Sequence, residues 1–113
     1  MGIFIVKKEE DGRYYVTLKV KGGHIMLNSV SHLSKSSCKI GIEIIRANAS
    51  DHLKYEYKKT FDGKFYFRLK SMHGEVLGNS KIYETAEHRN VGIETVRRIA
   101  QSACVKFNRN ETS

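Results

Sequence analysis

The chain has 113 residues but no proline, no tryptophan and only two cysteines. Without proline, every sharp reversal falls to glycine, of which there are nine. Cys38 and Cys104 share no short spacing, and no CxxC or Cys/His metal pattern is present. They read as reduced thiols, and neither a disulfide nor a metal is needed to hold a domain of this length together. Long apolar runs are missing too. Ile3 to Val6 is far below the ~18 residues of a membrane-spanning helix, and it lacks the basic lead and cleavage site of a signal peptide. Met1 and Gly2 begin a myristoylation-like start, but Val6 stands where Ser or Thr is required. The expectation is a cytoplasmic protein with no membrane association. Acidic residues are few, 12 against 20 Lys and Arg, for a formal net charge of +8 that biases the protein toward polyanions.

What is present is a duplication. Asp62-Gly63-Lys64-Phe65-Tyr66-Phe67-Arg68-Leu69-Lys70 repeats the pattern of Asp11 to Lys19, and sliding the chain on itself by about 51 residues aligns about fifteen identities without a gap. The matches include Lys7-Lys8, Asp11-Gly12, Leu18-Lys19, Asn28-Ser29 and Gly41-Ile42-Glu43 with their counterparts. Repeat one spans residues 2–50 and repeat two 53–101, within a single domain of residues 1–113.

In each copy the apolar period is two and then about 3.6, which predicts strands followed by a helix. Ile3 to Lys8, Tyr14 to Val20 and His24 to Asn28 are the strands of copy one, turned at Asp11-Gly12 and Gly22-Gly23. Ser34 and Thr85 are N-caps for helices reaching about Asn48 and Ala100. The first helix carries the stripe Cys38, Ile42, Ile45 and Ala49, widened by Ile40 and Ile44; the second carries Gly92, Ile93, Val96 and Ala100. Arg89 replaces Cys38, so the second helix should begin more exposed. Gly41 and Gly92 sit mid-helix at roughly 1 kcal/mol each against Ala, which implies close approach of helix to sheet. Leu53 to Lys59 and residues 104–108 return the motif of the first strand, and residues 109–113 read as a frayed tail. The fold class is therefore α+β, two tandem βββα repeats plus a C-terminal strand. They form one antiparallel sheet with both helices on one face and an internal pseudo-two-fold axis.

Alternation puts Tyr14, Val16 and Leu18, with Phe65, Phe67 and Leu69, under the helices. It leaves Tyr15, Thr17, Lys19, Tyr66, Arg68 and Lys70 on the opposite face. The residues Asp62 to Lys70, with Gly74, Ser80, Tyr83 and Gly92-Ile93-Glu94-Thr95-Val96, resemble the YegP-like family of small bacterial proteins. That family has no assigned activity. The resemblance implies strand exchange between the two units, so that a tandem chain makes within itself the assembly that a single repeat makes as a dimer, and is a monomer. It brings no catalytic residues. His32, where the second copy has Tyr83, departs from the pattern at a packing contact.

Five histidines, His24, His32, His52, His73 and His88, read as solvated side chains, Cys38 as a buried thiol, and Glu43 and Glu94 as partners of Arg46, Arg97 and Arg98. Asn28-Ser29 and Asn79-Ser80 end strands, where short polar side chains bond the local backbone. No nucleophile, base and orienting group can be assembled from the motifs, so neither an enzyme nor a cofactor is expected. The expected function is a non-enzymatic interaction module with protein or small-ligand partners. The alternative is a weak, sequence-tolerant nucleic-acid binder, with Tyr15 and Tyr66 stacking on bases and Lys19, Arg68 and Lys70 meeting phosphate.

Overall fold

A computed structural model describes residues 2–107. Its elements are β1 (Gly2–Lys8), β2 (Tyr14–Val20), β3 (Ile25–Ser29), α1 (Lys35–Ala49), a 3-10 turn (His52–Lys54), β4 (Tyr55–Lys59), β5 (Phe65–Lys70), β6 (Val76–Asn79), α2 (Ala86–Ile99) and β7 (Cys104–Phe107). The expected tail at 109–113, and residue 108 of the closing strand, lie outside the described residues. Among those described, no helix is long and apolar enough to cross a membrane. Gly12 and Gly63, at φ of 89° and 87°, give the Asp-Gly turns the left-handed backbone that a side chain would resist. Ser34 and Thr85 cap the helices as expected, accepting from the amides of Ser37 and His88 at 3.0 Å.

The seven strands make one sheet in the order β4-β5-β6-β3-β2-β1-β7. The copies meet where β3 pairs with β6, a seam of two residue pairs, Asn28 with Asn79 and Ser29 with Gly78. Each helix takes the chain across that seam. α1 follows β3 and returns at the far edge as β4; α2 follows β6 and returns at the opposite edge as β7. This is the strand exchange that the family resemblance implies. One sheet face, with Phe4, Val16, Leu18, Leu27, Phe67 and Leu69, packs in a single buried cluster against Cys38, Ile42 and Ile45 of α1 and Ile93, Val96 and Ile99 of α2. Burying each large aliphatic or aromatic side chain contributes about 1.5–3 kcal/mol.

Four details differ from the sequence-based expectation. The sheet is antiparallel except at one edge, where β7 runs parallel to β1. β1 and β7 are copies of one strand and would approach β2 from the same side in the same direction. β1 already holds that place, so β7 lies beside it. Ile40 and Ile44 do not widen the α1 stripe but are 63% and 40% exposed, because the helix turns only the Cys38 side to the sheet. Thr17 lies on the face opposite the helices as expected but is fully buried there, its hydroxyl donating to Asn28 Oδ1 at 2.8 Å. Leu53 and Lys54 belong to the 3-10 turn, which Asp51 caps by accepting from the Leu53 amide at 2.9 Å.

Arg46 and Arg97 act across the two copies. Arg46 pairs with Glu43 at 3.4 Å and Arg97 with Glu94 at 2.6 Å, as the spacing predicts. These carboxylates are exposed, which limits what the pairs contribute. Arg46 also donates to the carbonyls of Ala100, Gln101 and Ala103 at 3.0, 2.8 and 2.8 Å, with its guanidinium 5.2 Å from the centre of the Phe4 ring. Arg97 donates to the Ser50 carbonyl at 3.2 Å. The open carbonyls past each helix end are thus taken by an arginine of the other helix. Arg46→Ala is expected to cost about 2–3 kcal/mol in a denaturant titration, and Arg97→Ala about 1 kcal/mol. Equal, small losses would show that these carbonyls gain little from the arginines.

Candidate functional site

The face opposite the helices is crossed by a register row that runs through every strand: Glu56, Arg68, Asn79, Asn28, Thr17, Ile5 and Lys106. Arg68 donates to Asn79 Oδ1 at 3.0 Å, just as Thr17 donates to Asn28. The two asparagines therefore face across strands, whereas Ser29 and Ser80 bond backbone, accepting from the Val16 and Phe67 amides at 2.8 and 2.9 Å.

The five residues singled out from the sequence all lie on this face and are partly exposed. They do not form one patch. Tyr15 and Tyr66 stand on opposite sides of the row, three strand spacings and four residues apart, roughly 20 Å. The Arg68 guanidinium lies 5.9 Å from the Tyr66 ring centre, and the Lys7 ammonium 6.0 Å from that of Tyr15. Glu56 of β4 lies between Arg68 and Lys70, at 4.0 and 3.8 Å. Two of the three cations thus already have a carboxylate beside them.

On the helix side, the segment after β6 adds a rung to the sheet: the Tyr83 and Phe65 backbones exchange hydrogen bonds of 2.6 and 2.9 Å. This pins the Tyr83 ring under α2. A methyl group added at Gly92 would overlap the Tyr83 hydroxyl and lie 2.7 Å from Cζ. In copy one His32 bridges to Tyr14 in the same way, and a Cβ on Gly41 would lie 2.8 Å from His32 Cε1. The close approach implied by the mid-helix glycines is therefore of ring to helix rather than of strand to helix. Burial raises the Tyr83 phenol pKa above its ordinary value and lowers that of the His32 imidazole. The Tyr83 hydroxyl has no partner among the described residues, which costs about 1–3 kcal/mol for a buried donor.

Beside Tyr83 runs a groove of about 510 Å³. One wall is the β2–β3 hairpin, with Val20, His24 and Met26; a second is Lys81, Ile82 and Tyr83; the third is the side of α2 that carries His88, Val91 and Thr95. The equivalent groove of copy one, against His32 and Gly41, holds about 260 Å³. Ile44 there replaces Thr95, Leu77 replaces Met26, Val30 replaces Lys81 and Glu75 replaces His24. Duplication built two grooves, and their linings have diverged in size and charge. Sequence reasoning missed this site, although a glycine kept mid-helix in both copies pointed toward it.

His24 and His88 line the larger groove, and His52 lies 2.8 Å from Glu94. Arg89 is half-buried where Cys38 is fully buried, so α2 begins more exposed than α1 as expected, and its guanidinium lies 4.9 and 5.2 Å from the ring centres of Tyr57 and Phe65. Cys38 is buried and Cys104 exposed. Among the described residues no three His, Cys, Asp or Glu gather as metal ligands.

Known proteins share this arrangement. The family described as Domain of unknown function (DUF1508) matches residues 9–56 and again 62–106. The UPF0339 protein YegP of Escherichia coli K12 is 36% identical over 107 residues, spanning 95% of this chain and 97% of its own. The solution NMR structure of yegP from E. coli, a protein of unknown function, superposes with a TM-score of 0.88, covering 95% of this chain and 92% of that one. That of UPF0339 protein SO3888 from Shewanella oneidensis, 25% identical, gives 0.87 with coverage of 94% and 90%.

The ring-to-glycine contact has a measurable signature. Gly92→Ala would ordinarily stabilise a helix by about 1 kcal/mol, but against Tyr83 it should destabilise the protein by about 2 kcal/mol. In a Tyr83→Ala background the same change should become neutral or favourable. Denaturant titrations of the four proteins decide this, and simple additivity would refute the contact.

Proposed function

The chain belongs to the DUF1508 family, and on that premise we propose that it works as a non-enzymatic interaction module whose binding surface is the groove between α2 and the β2–β3 hairpin. The observation that carries this reading is the groove itself: about 510 Å³ with a mainly apolar lining, of the kind that receives ligands. Ile82 and Val91 stand at its walls with 52% and 63% of their surfaces exposed. The recurring carboxylates Glu43 and Glu94 serve ion pairs with arginine, which supports an architectural role for them rather than acid–base work. On the opposite face, the pairing of Arg68 and Lys70 with Glu56 and the wide spacing of the tyrosines weigh against a stacking platform for single strands.

The two surfaces separate by substitution. Ile82→Glu with Val91→Glu, both at exposed positions, should abolish specific capture by the immobilised chain without unfolding it. Nuclease treatment, or Tyr15→Ala with Tyr66→Ala, should leave capture intact. Capture that survives the glutamates but is lost with nuclease would overturn the groove as the working surface. In a direct titration at ~150 mM salt, the double tyrosine variant should bind a single-stranded oligonucleotide no more weakly than the parent. A loss of ~1–3 kcal/mol per tyrosine would instead mark the outer face as a stacking site.

A further inference from the structure

We infer that the groove takes a free small-molecule amphipathic carboxylate, its apolar part along Val20, Met26, Ile82 and Val91 and its carboxylate at Lys81. The inference rests on the groove being the binding surface and adds the chemistry of what fills it. Volume comes first: about 510 Å³ suits one small molecule.

Charge comes next. Among the lining residues the one carboxylate, Glu84, is engaged elsewhere, 2.9 Å from the Lys64 ammonium, which itself does not line the groove. Lys81 remains, its ammonium 5.3 Å from the centre of the Tyr83 ring, accompanied by the imidazoles of His24 and His88 on two other walls. An apolar floor with one ammonium at its rim is complementary to an apolar body that ends in an anion. A third observation is independent of charge. The Tyr83 hydroxyl, on a side chain only 8% exposed, has no partner among the described residues and is held against Gly92, another lining residue, so the inner wall of the groove carries one unanswered polar group that can donate or accept.

The duplicated groove is an internal control. At about 260 Å³, with Val30 in place of Lys81 and Glu75 in place of His24, it has half the room, no lysine and a carboxylate on its wall. The same acid should be refused there.

The experiment uses the full chain labelled with ¹⁵N and three probes of one tail length: decanoate, decanol and decyltrimethylammonium, each below its micelle concentration. Decanoate should shift the amides of residues 20–26 and 81–95 saturably, at least about tenfold more tightly than decanol, while the ammonium should not bind. Lys81→Gln should reduce decanoate to the decanol level with the rest of the spectrum unchanged, whereas Lys19→Gln, on the other face, should have no effect. Equal binding of decanoate and decanol in the groove would overturn the carboxylate while leaving the groove as the binding surface. Shifts gathered at His32 and Gly41 or on the outer face, or no binding at all, would overturn the proposal. The Ile82 and Val91 glutamates then decide separately whether the groove binds anything else.

Discussion

The sheet depends on a seam that is weak by itself. β3 and β6 share two residue pairs, Asn28 with Asn79 and Ser29 with Gly78, followed by one hydrogen bond from the Val30 amide to the Leu77 carbonyl at 3.2 Å. So short a strand pair does not hold two halves in water. The helices do, because each packs on strands of both copies and each ends in carbonyls bound by the other's arginine. Crossing the seam is therefore the condition on which the common core exists, and the return of the chain at opposite edges of the sheet follows from it.

Much of this fold could be read in the chain because its signals are local. The Asp-Gly turns, the alternation of Tyr14 to Val20 and Phe65 to Lys70, and the caps Ser34 and Thr85 each concern a few consecutive residues. The parallel edge could not be read, since it depends on β1 and β7 competing for one side of β2. Nor could the burial of Thr17, which is closed in by neighbours across strands rather than by residues beside it in sequence.

The site was less legible for the same reason. Alternation placed Tyr15, Lys19, Tyr66, Arg68 and Lys70 on the correct face, but not Glu56 between two of the cations, because that needs β4 to be the neighbour of β5. The groove has walls from a hairpin of copy one and from a loop and helix of copy two, elements that meet only once β3 and β6 are paired. Gly41 and Gly92 signalled that something came close to the helices. That it is an aromatic ring, pinned by an added backbone rung at Tyr83 or His32, depends on tertiary geometry.

The exchanged strands also bear on dilution. A lone βββα unit whose closing strand must be lodged in a second molecule folds by a bimolecular reaction, and its stability falls as the solution is thinned. Here both helices find their second set of strands on the same polypeptide, tethered through the short 3-10 turn at His52–Lys54. Encounter of the halves is thereby first order, at an effective concentration set by the tether instead of by how much protein is present. Fusion of the copies lets the sheet close without strands from a second molecule, and it frees the two grooves to diverge, which a symmetric pair of identical chains could not do.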